Sequence, residues 1–289
     1  MVNNVKSENL PISDYSLSEL LSRTLTTVPA VSTTIYDRVW ETTGMLVHHL
    51  ESFTDSLVVT DEMRPVGLVG GVEIISGTLK NPTFDFFNNT LVGKIKNDGL
   101  VIITPETKLS DLLKQWKQTG RAFAIIPNQY HGYSAISARK LLEVGVLCNT
   151  DIKVDNIPKK RMATFKQNQT VRDIINVMFE NKTRRLILEN TTQFLSDRIV
   201  IEKIATDLNY LRDVDNFLDM KASIFKLESA KTISADMKIP EVCKIMYGML
   251  HPYMMTNDQV ISPWDLIMVL TSKELISYNW QKIQKMKMA

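Results

Sequence analysis

One strand-to-helix turn occurs four times along this chain of 289 residues. In its clearest copy a short apolar strand ends at Ile261, Ser262 is placed to cap a helix, and Pro263 opens that helix. The aligned cap positions of the four copies are Gly70, Ser137, Ser196 and Ser262. A unit that recurs along a chain predicts a repeat architecture, because each copy folds as one supersecondary unit and buries its core against its neighbours.

The same elements precede every copy of the turn. Apolar residues at helical spacing predict amphipathic helices over 34–50, 108–120, 170–182 and 238–250. An acid lies early in each of them, as Asp37, Asp111, Asp173 and Glu241, where the helix dipole favours a carboxylate. β-Branched and aliphatic residues then predict short strands over 56–59, 65–69, 122–126, 186–188 and 253–255. With a leading strand such as 101–103, the repeat is β-α-β-β-α, and the fold class is α+β.

The spacing of the copies indicates a duplicated pair. Copies one and three, and copies two and four, lie about 125 residues apart. The predicted organisation is an N-terminal extension at 1–22, a first pair at 23–155 and a second pair at 156–289. Within the pairs the repeats span 23–96, 97–155, 156–223 and 224–289. Ser16 and Glu19 predict a capped helix in the extension, and a further helix is expected after Thr271.

Composition limits the class of protein. Apolar residues make up 44% of the chain and charged residues 23%, as in soluble globular proteins. The net charge of +2 provides no general attraction to nucleic acid or membrane. The chain has no apolar run of the roughly 18 residues that a membrane helix needs. A polar N-terminus and two apolar-flanked cysteines, Cys148 and Cys243, favour a cytoplasmic protein with reduced thiols.

Two segments carry a family resemblance. Residues 56–70 read SLVVTDEMRPVGLVG, and residues 178–188 read MFENKTRRLIL. With the fourfold turn, they resemble the cystathionine-β-synthase (CBS) domain family over residues 23–275. The resemblance implies four CBS repeats in two pseudo-twofold pairs, each pair a Bateman module, with a flat disk as one arrangement of the modules.

The turn around Ser262 also has the groups that a nucleotide needs. A hydroxyl at the cap can donate to phosphate, and the N-terminus of a helix attracts anions. The Asp265 carboxylate can accept hydrogen bonds from the two hydroxyls of a ribose. The alternative is structural, since Ser262 and Asp265 are also spaced as a capping box for their own helix. The resemblance favours binding, because the family uses these two positions for phosphate and ribose.

The resemblance makes the four copies unequal. Copy four has both Ser262 and Asp265, with Pro263 between them, and is the predicted nucleotide site. Copy one has Gly70 and Glu73 and is a second candidate. Copy two has Lys140 and copy three has Ile199 at the acid position, which predicts that both are degenerate.

In the family each site is completed by the partner repeat. For copy four this implies residues 160–164, with Arg161 near the phosphate and Ala163 beside the base, together with Thr183 and Arg184. His251 is also placed near the phosphate. The alternatives are a solvated linker for the basic run 159–161 and a helix C-terminal cap for His251.

We therefore expect a non-enzymatic regulatory protein that binds adenine nucleotide and signals to an unknown protein. AMP is the favoured ligand, with ADP, ATP and S-adenosylmethionine as alternatives, and the assembly is a monomeric disk or a homodimer. No nucleophile and base are arranged for catalysis, and the adjacent His48 and His49 do not form a metal site. One rival is a nucleic-acid-associated module that uses Lys159, Lys160, Arg161, Arg184 and Arg185. The other is a scaffold for protein interactions that binds no ligand.

Overall fold

The structure of the protein is a computed structural model that describes residues 11–48, 56–130, 132–160, 162–257 and 259–270. The first ten residues, the end of the first predicted helix, Arg161 and the predicted C-terminal helix lie outside these residues. In the described ranges no helix is both long enough and apolar enough to cross a membrane.

The described helices alternate with short strands. They are α1 (Leu17–Leu21), α2 (Val39–His48), α3 (Gly71–Lys80), α4 (Phe84–Asn89), α5 (Leu109–Thr119), α6 (Ala138–Leu147), α7 (Val171–Glu180), α8 (Asp197–Thr206), α9 (Tyr210–Asp213), α10 (Ile239–Tyr247) and α11 (Pro263–Val269). The strands are β1 (Ser32–Thr34), β2 (Ser56–Asp61), β3 (Arg64–Gly70), β4 (Phe123–Pro127), β5 (Tyr133–Ser137), β6 (Thr164–Phe165), β7 (Arg185–Leu188), β8 (Gln193–Ser196), β9 (Glu228–Ser229), β10 (Lys231–Thr232), β11 (Met254–Met255) and β12 (Val260–Ile261).

The strands confirm the β-α-β-β-α repeat. In each copy a hairpin precedes the second helix: β2–β3, β4–β5, β7–β8 and β11–β12 are antiparallel pairs. A leading strand lies parallel to the first strand of the hairpin, as β1 on β2, β6 on β7 and β10 on β11. In repeat two this strand is reduced to one parallel bridge between Ile102 and Ile125. The predicted α+β class is confirmed.

The start of the first helix was predicted wrongly. Residues 32–34 form β1, and the helix begins only at Val39. The carboxylate of Asp37 accepts hydrogen bonds from Thr33 Oγ1 at 2.7 Å and from the backbone N–H of Thr34 at 2.7 Å, which closes a turn between strand and helix. The acid in the first turn of α2 is Glu41, the counterpart of Asp111, Asp173 and Glu241. A short polar side chain here bonds to nearby backbone instead of continuing the helix.

Helices join repeat one to repeat three and repeat two to repeat four. α2 and α3 pack on α8, while α6 packs on α10 and α11. The result is two large apolar clusters, one shared by repeats one and three and one shared by repeats two and four. A smaller cluster, which contains Val58, Leu68 and Phe123, joins the sheets of repeats one and two. Since a fully buried aliphatic side chain contributes about 1.5–3 kcal/mol, these contacts hold the repeats together.

Two arginines at equivalent positions reinforce the helix contacts. Arg198, the second residue of α8, donates from Nη2 to the carbonyl of Leu46 in α2 at 2.6 Å. Arg139, the second residue of α6, donates to the carbonyls of Tyr247 and Leu250 at the end of α10, at 3.2 and 3.5 Å. Carbonyls in the last turn of a helix lack intrahelical partners, so each arginine caps a helix of the repeat against which it packs.

The segment that precedes each repeat pairs with the other repeat of the same pair. Each contact is one antiparallel bridge just before a first helix: Ser16 with Lys108, Leu91 with Arg38, Lys153 with Lys238, and Lys221 with Thr170. α1 therefore lies on repeat two, and its predicted capping box is confirmed by the hydrogen bonds between Ser16 and Glu19. The N-terminal segment thus occupies the same place as the segments that lead into the other repeats.

Candidate functional site

The predicted cap positions begin the second helix of all four repeats. Gly70, Ser137, Ser196 and Ser262 precede α3, α6, α8 and α11, and each has extended backbone. The hydroxyls of Ser137 and Ser196 accept from the backbone N–H three residues on, both at 3.3 Å, as in an ordinary helix cap. The side chain three residues after each cap is Glu73, Lys140, Ile199 or Asp265, and it distinguishes the four copies. We call the surroundings of this side chain the mouth of the copy.

In copy four the hydroxyl does not cap the helix. Ser262 Oγ donates to Asp265 Oδ2 at 2.6 Å, and the backbone N–H of Ser262 donates to the same oxygen at 2.9 Å. The Asp265 carboxylate thus forms the backbone half of the capping box. Its second oxygen, Oδ1, faces the partner repeat.

Lys160 supplies the partner of that second oxygen. Its Nζ forms an ion pair with Asp265 Oδ1, although the two residues lie 105 positions apart. The Lys160 side chain is 56% exposed, whereas that of Asp265 is 9% exposed. The segment that leads into repeat three therefore reaches the mouth of copy four, as the predicted pairing of repeats requires.

Copy one has the same plan with a more buried partner. Glu73 Oε2 accepts from the backbone N–H of Gly70 at 2.9 Å, while Oε1 forms an ion pair with Arg121 of repeat two. Arg121 also donates to Ser56 Oγ at 3.2 Å, and the Asn97 amide lies 3.5 Å from Oε1. The side chains of Arg121 and Glu73 are 17% and 7% exposed, so this site is closed by a buried ion pair.

Copy two is filled by a lysine network. The buried Lys140 donates to Glu143 Oε1 at 2.6 Å and to Thr27 Oγ1 at 3.3 Å. Tyr247 of repeat four donates to Glu143 Oε1 at 2.8 Å, and burial, with that carboxylate, raises the pKa of Tyr247 to about 12. An ammonium thus occupies the acid position of copy two.

Copy three is apolar at the acid position and abuts copy one. Ile199 is buried. The neighbouring Asp197 binds Arg184 Nε at 2.5 Å, and its carboxylate lies so close to Gly71 that a Cβ there would overlap it. The first helical residues of α3 and α8 are therefore in contact, and Gly71 permits this approach because it has no side chain.

The other residues predicted for the copy-four site make contacts within repeat three or at the start of α11. Ala163 accepts from the backbone N–H of Ile187, within the sheet of repeat three. Thr183 bonds to Met178 and Arg185 at the end of α7, and Arg184 is held by Asp197 of its own repeat. Pro263 is buried at the first position of α11.

His251 packs on repeat three. Its ring meets Phe194 of β8 edge-on, with centroids 6.5 Å apart. Burial lowers the pKa of His251, and the charges of Arg198 and Arg185 act in the same direction, while Glu228 and Glu202 oppose them. Arg185, Arg198 and Glu202 belong to repeat three, and Glu228 belongs to the segment that enters repeat four. His251 therefore lies among charged side chains of both repeats.

An aromatic pair joins repeat three to repeat four, because Phe194 lies in β8 and Tyr253 directly precedes β11. The guanidinium of Arg185 lies 5.1 Å from the ring centroid of Tyr253, and the Phe194 ring packs edge-on against Tyr253 at 5.0 Å. Burial raises the pKa of Tyr253 to about 12, Arg185 opposes the rise, and Asp265 adds to it. Tyr253 is thus within electrostatic reach of both Arg185 and the copy-four acid.

Sequence reasoning missed two residues of these sites, Arg121 and Asn97, which come from the partner repeat. Lys160 lies in the segment 160–164 that the resemblance implied for copy four, but its pairing with Asp265 was not predicted. The sequence signal for Lys160 was its position just before β6, the leading strand of repeat three, because that segment was expected to reach the copy-four site. Arg121 has no comparable local signal, because its contact with Glu73 spans 48 residues.

Neither a comparison with family models nor one with curated proteins gives a match. Solved structures do match. A protein of Methanocaldococcus jannaschii, described as a proposed archaeal homologue of γ-AMPK, aligns with a TM-score of 0.72 over 89% of this chain and 100% of its own, at 13% identity. A CBS-domain-containing protein of Agrobacterium tumefaciens aligns over 45% of this chain and 93% of its own, with 14% identity and a TM-score of 0.38.

The likeness to the M. jannaschii protein extends over all four repeats and establishes the fold. The chain has the fold of CBS-domain proteins, with its repeats paired as in Bateman modules. The resemblance inferred from residues 56–70 and 178–188 is confirmed at that level.

Proposed function

We propose that this protein is a non-catalytic regulatory module that binds adenine nucleotide at copy four and passes its occupancy to a partner protein. The observation that supports this most is the pairing of Asp265 with Lys160. This pairing places a nearly buried carboxylate of repeat four beside an exposed cation of repeat three. A carboxylate for a ribose diol and a cation for a phosphate are the complementary groups that a nucleotide requires.

AMP is the favoured ligand, and ADP, ATP and S-adenosylmethionine are the alternatives. The solved structure that spans all four repeats is described as a proposed homologue of γ-AMPK, which supports adenine nucleotide as the ligand class. Copy one is a weaker candidate, because the acid at its mouth already has a buried arginine as a partner. Ligand bound between two repeats would shift the balance between module arrangements by its difference in affinity for them.

A scaffold that binds no ligand is the second candidate, and one observation favours it. The acid-position side chains of copies one, two and four already have protein partners, in Arg121, Glu143 and Lys160. On this reading the turns are only helix caps. The nucleic-acid alternative has less support, because Lys160, Arg184 and Arg185 contact Asp265, Asp197 and Tyr253 instead of forming one free basic face.

Calorimetric titration with AMP, ADP, ATP and S-adenosylmethionine tests the proposal. Wild-type protein should bind at least one of them, and Asp265→Asn should weaken that binding at least about tenfold, since a charge-assisted contact contributes about 1.5–3 kcal/mol. Asp173→Asn is the matched control, because Asp173 Oδ2 accepts from the backbone N–H of Thr170 at the start of α7, as Asp265 Oδ2 does from Ser262. Equal losses in both variants would point to helix capping alone, and no binding of any ligand would support the scaffold.

A further inference from the structure

While Lys160 is bound, the Asp265 carboxylate has one acceptor position left, on Oδ1. Its Oδ2 accepts from both the backbone N–H and the hydroxyl of Ser262, and its Oδ1 is paired with Lys160. A diol that donates from both hydroxyls to this carboxylate needs two acceptor positions and must therefore replace the ammonium at Oδ1. The site is therefore closed by a group of the protein itself.

The two side chains of the ion pair between Lys160 and Asp265 differ in exposure. Lys160 is more than half exposed, so solvent screens the pair and its release costs little. Asp265 is nearly buried, so it cannot be left without a partner and exchanges Lys160 only for other donors. The copy-one pair differs because Arg121 is itself mostly buried and is also bound to Ser56.

We infer that Lys160 is a gate that makes binding at Asp265 depend on the ligand's phosphate. This inference rests on the function proposed above. A neutral nucleoside offers its diol to Asp265 but leaves the displaced ammonium without an anion. A nucleotide replaces both halves of the ion pair, because its diol binds Asp265 and its phosphate receives Lys160. The class of ligand admitted is thus a ribonucleoside phosphate, and adenosine is disfavoured.

Lys160→Met removes the charge and keeps most of the length of the side chain, since methionine is one atom shorter. Adenosine then reports the loss of the competing ion pair, and AMP also reports the loss of a charged partner for its phosphate. Adenosine should bind the variant up to about fivefold more tightly, since the competing ion pair is gone. The ratio of AMP to adenosine affinity should fall at least about tenfold, since the phosphate loses a charged partner. Lys159→Met is the matched control: its side chain is 53% exposed and pairs with the exposed Asp155 at 3.5 Å.

Acetylation of the ligand-free protein, followed by mass spectrometry, tests the gate without nucleotide. Lys160 should react at least about threefold more slowly than Lys159, and Asp265→Asn should equalise the two rates. Nucleotide binding with an unchanged AMP-to-adenosine ratio in Lys160→Met, or equal acetylation rates in the wild type, would overturn the gate alone. Absence of binding by every nucleotide tested would overturn the proposed function, and the gate with it.

Discussion

The guanidinium of Arg121 closes the mouth of repeat one by pairing with the Glu73 carboxylate across the interface with repeat two. Its counterpart in the second module is the pair between Lys160 and Asp265. In both, one carboxylate oxygen binds backbone at the start of its own helix and the other binds a cation from the partner repeat. The two cations differ in exposure: the Arg121 side chain is mostly buried, whereas the Lys160 side chain is more than half exposed. The cation of copy one is therefore fixed by its surroundings, and that of copy four can exchange with solvent.

Arg121→Met should destabilise the protein by about 3 kcal/mol, because it leaves the buried Glu73 carboxylate without its charged partner. Urea unfolding monitored by circular dichroism measures this loss. The double variant Glu73→Gln with Arg121→Met should recover more than half of it, since neither charge is then buried alone. A loss below about 0.5 kcal/mol in the single variant would contradict a buried pair.

Arg198→Met should lower the free energy of unfolding by about 1–2 kcal/mol, since the cap on the last turn of α2 is lost. The same measurement on Arg172→Met provides the control, because Arg172 is exposed and lies 4.0 Å from Asp219. Its effect should stay within about 0.5 kcal/mol. Equal effects of the two substitutions would show that Arg198 does not join repeat three to repeat one.

Two glycine-to-alanine substitutions should change the stability of the protein in opposite directions. Gly71→Ala places a Cβ against the Asp197 carboxylate and should destabilise the contact between α3 and α8. Gly44→Ala lies inside α2, where a Cβ meets nothing within 4 Å, and should stabilise by about 0.5–1 kcal/mol. Thermal unfolding compares them. A Gly71→Ala protein as stable as the wild type would show that the two helices do not approach so closely.

His251 should make stability depend on pH. Burial lowers the pKa of His251 in the folded protein, so the unfolded chain binds a proton more readily. The contribution of the neutral ring is present above about pH 6.5 and is lost as the pH falls below it. His251→Phe should therefore lose less unfolding free energy than the wild type between about pH 8 and pH 5.5. The same pH dependence in both proteins would contradict the burial of this ring.

Much of the fold follows from local patterns in the sequence. The cap residues Gly70, Ser137, Ser196 and Ser262 were placed by turn chemistry, and the apolar spacing of Val171, Ile174 and Met178 located α7. The error at residues 34–38 arose because Thr34 ends a short strand and Asp37 closes a turn within the range 34–50 that was assigned to the first helix. The division of the chain into two modules near 155–161 stays a prediction.

The site was harder to predict because its decisive contacts are distant in sequence. Asp265 and Ser262 lie within one turn and were found together. The partners of the acids, Arg121 and Lys160, come from other repeats, and nothing in local spacing shows which cation reaches which carboxylate. The same holds for Arg139 and Arg198, whose roles depend on the packing of repeat two on four and of repeat three on one.

A crystal structure of the protein with AMP tests the central claim most directly. We predict nucleotide at the mouth of copy four, with its ribose hydroxyls on Asp265, its phosphate beside Lys160, and the ion pair between these two residues broken. Electron density for AMP only at another repeat, or an intact pair between Lys160 and Asp265 in protein saturated with nucleotide, would contradict the account.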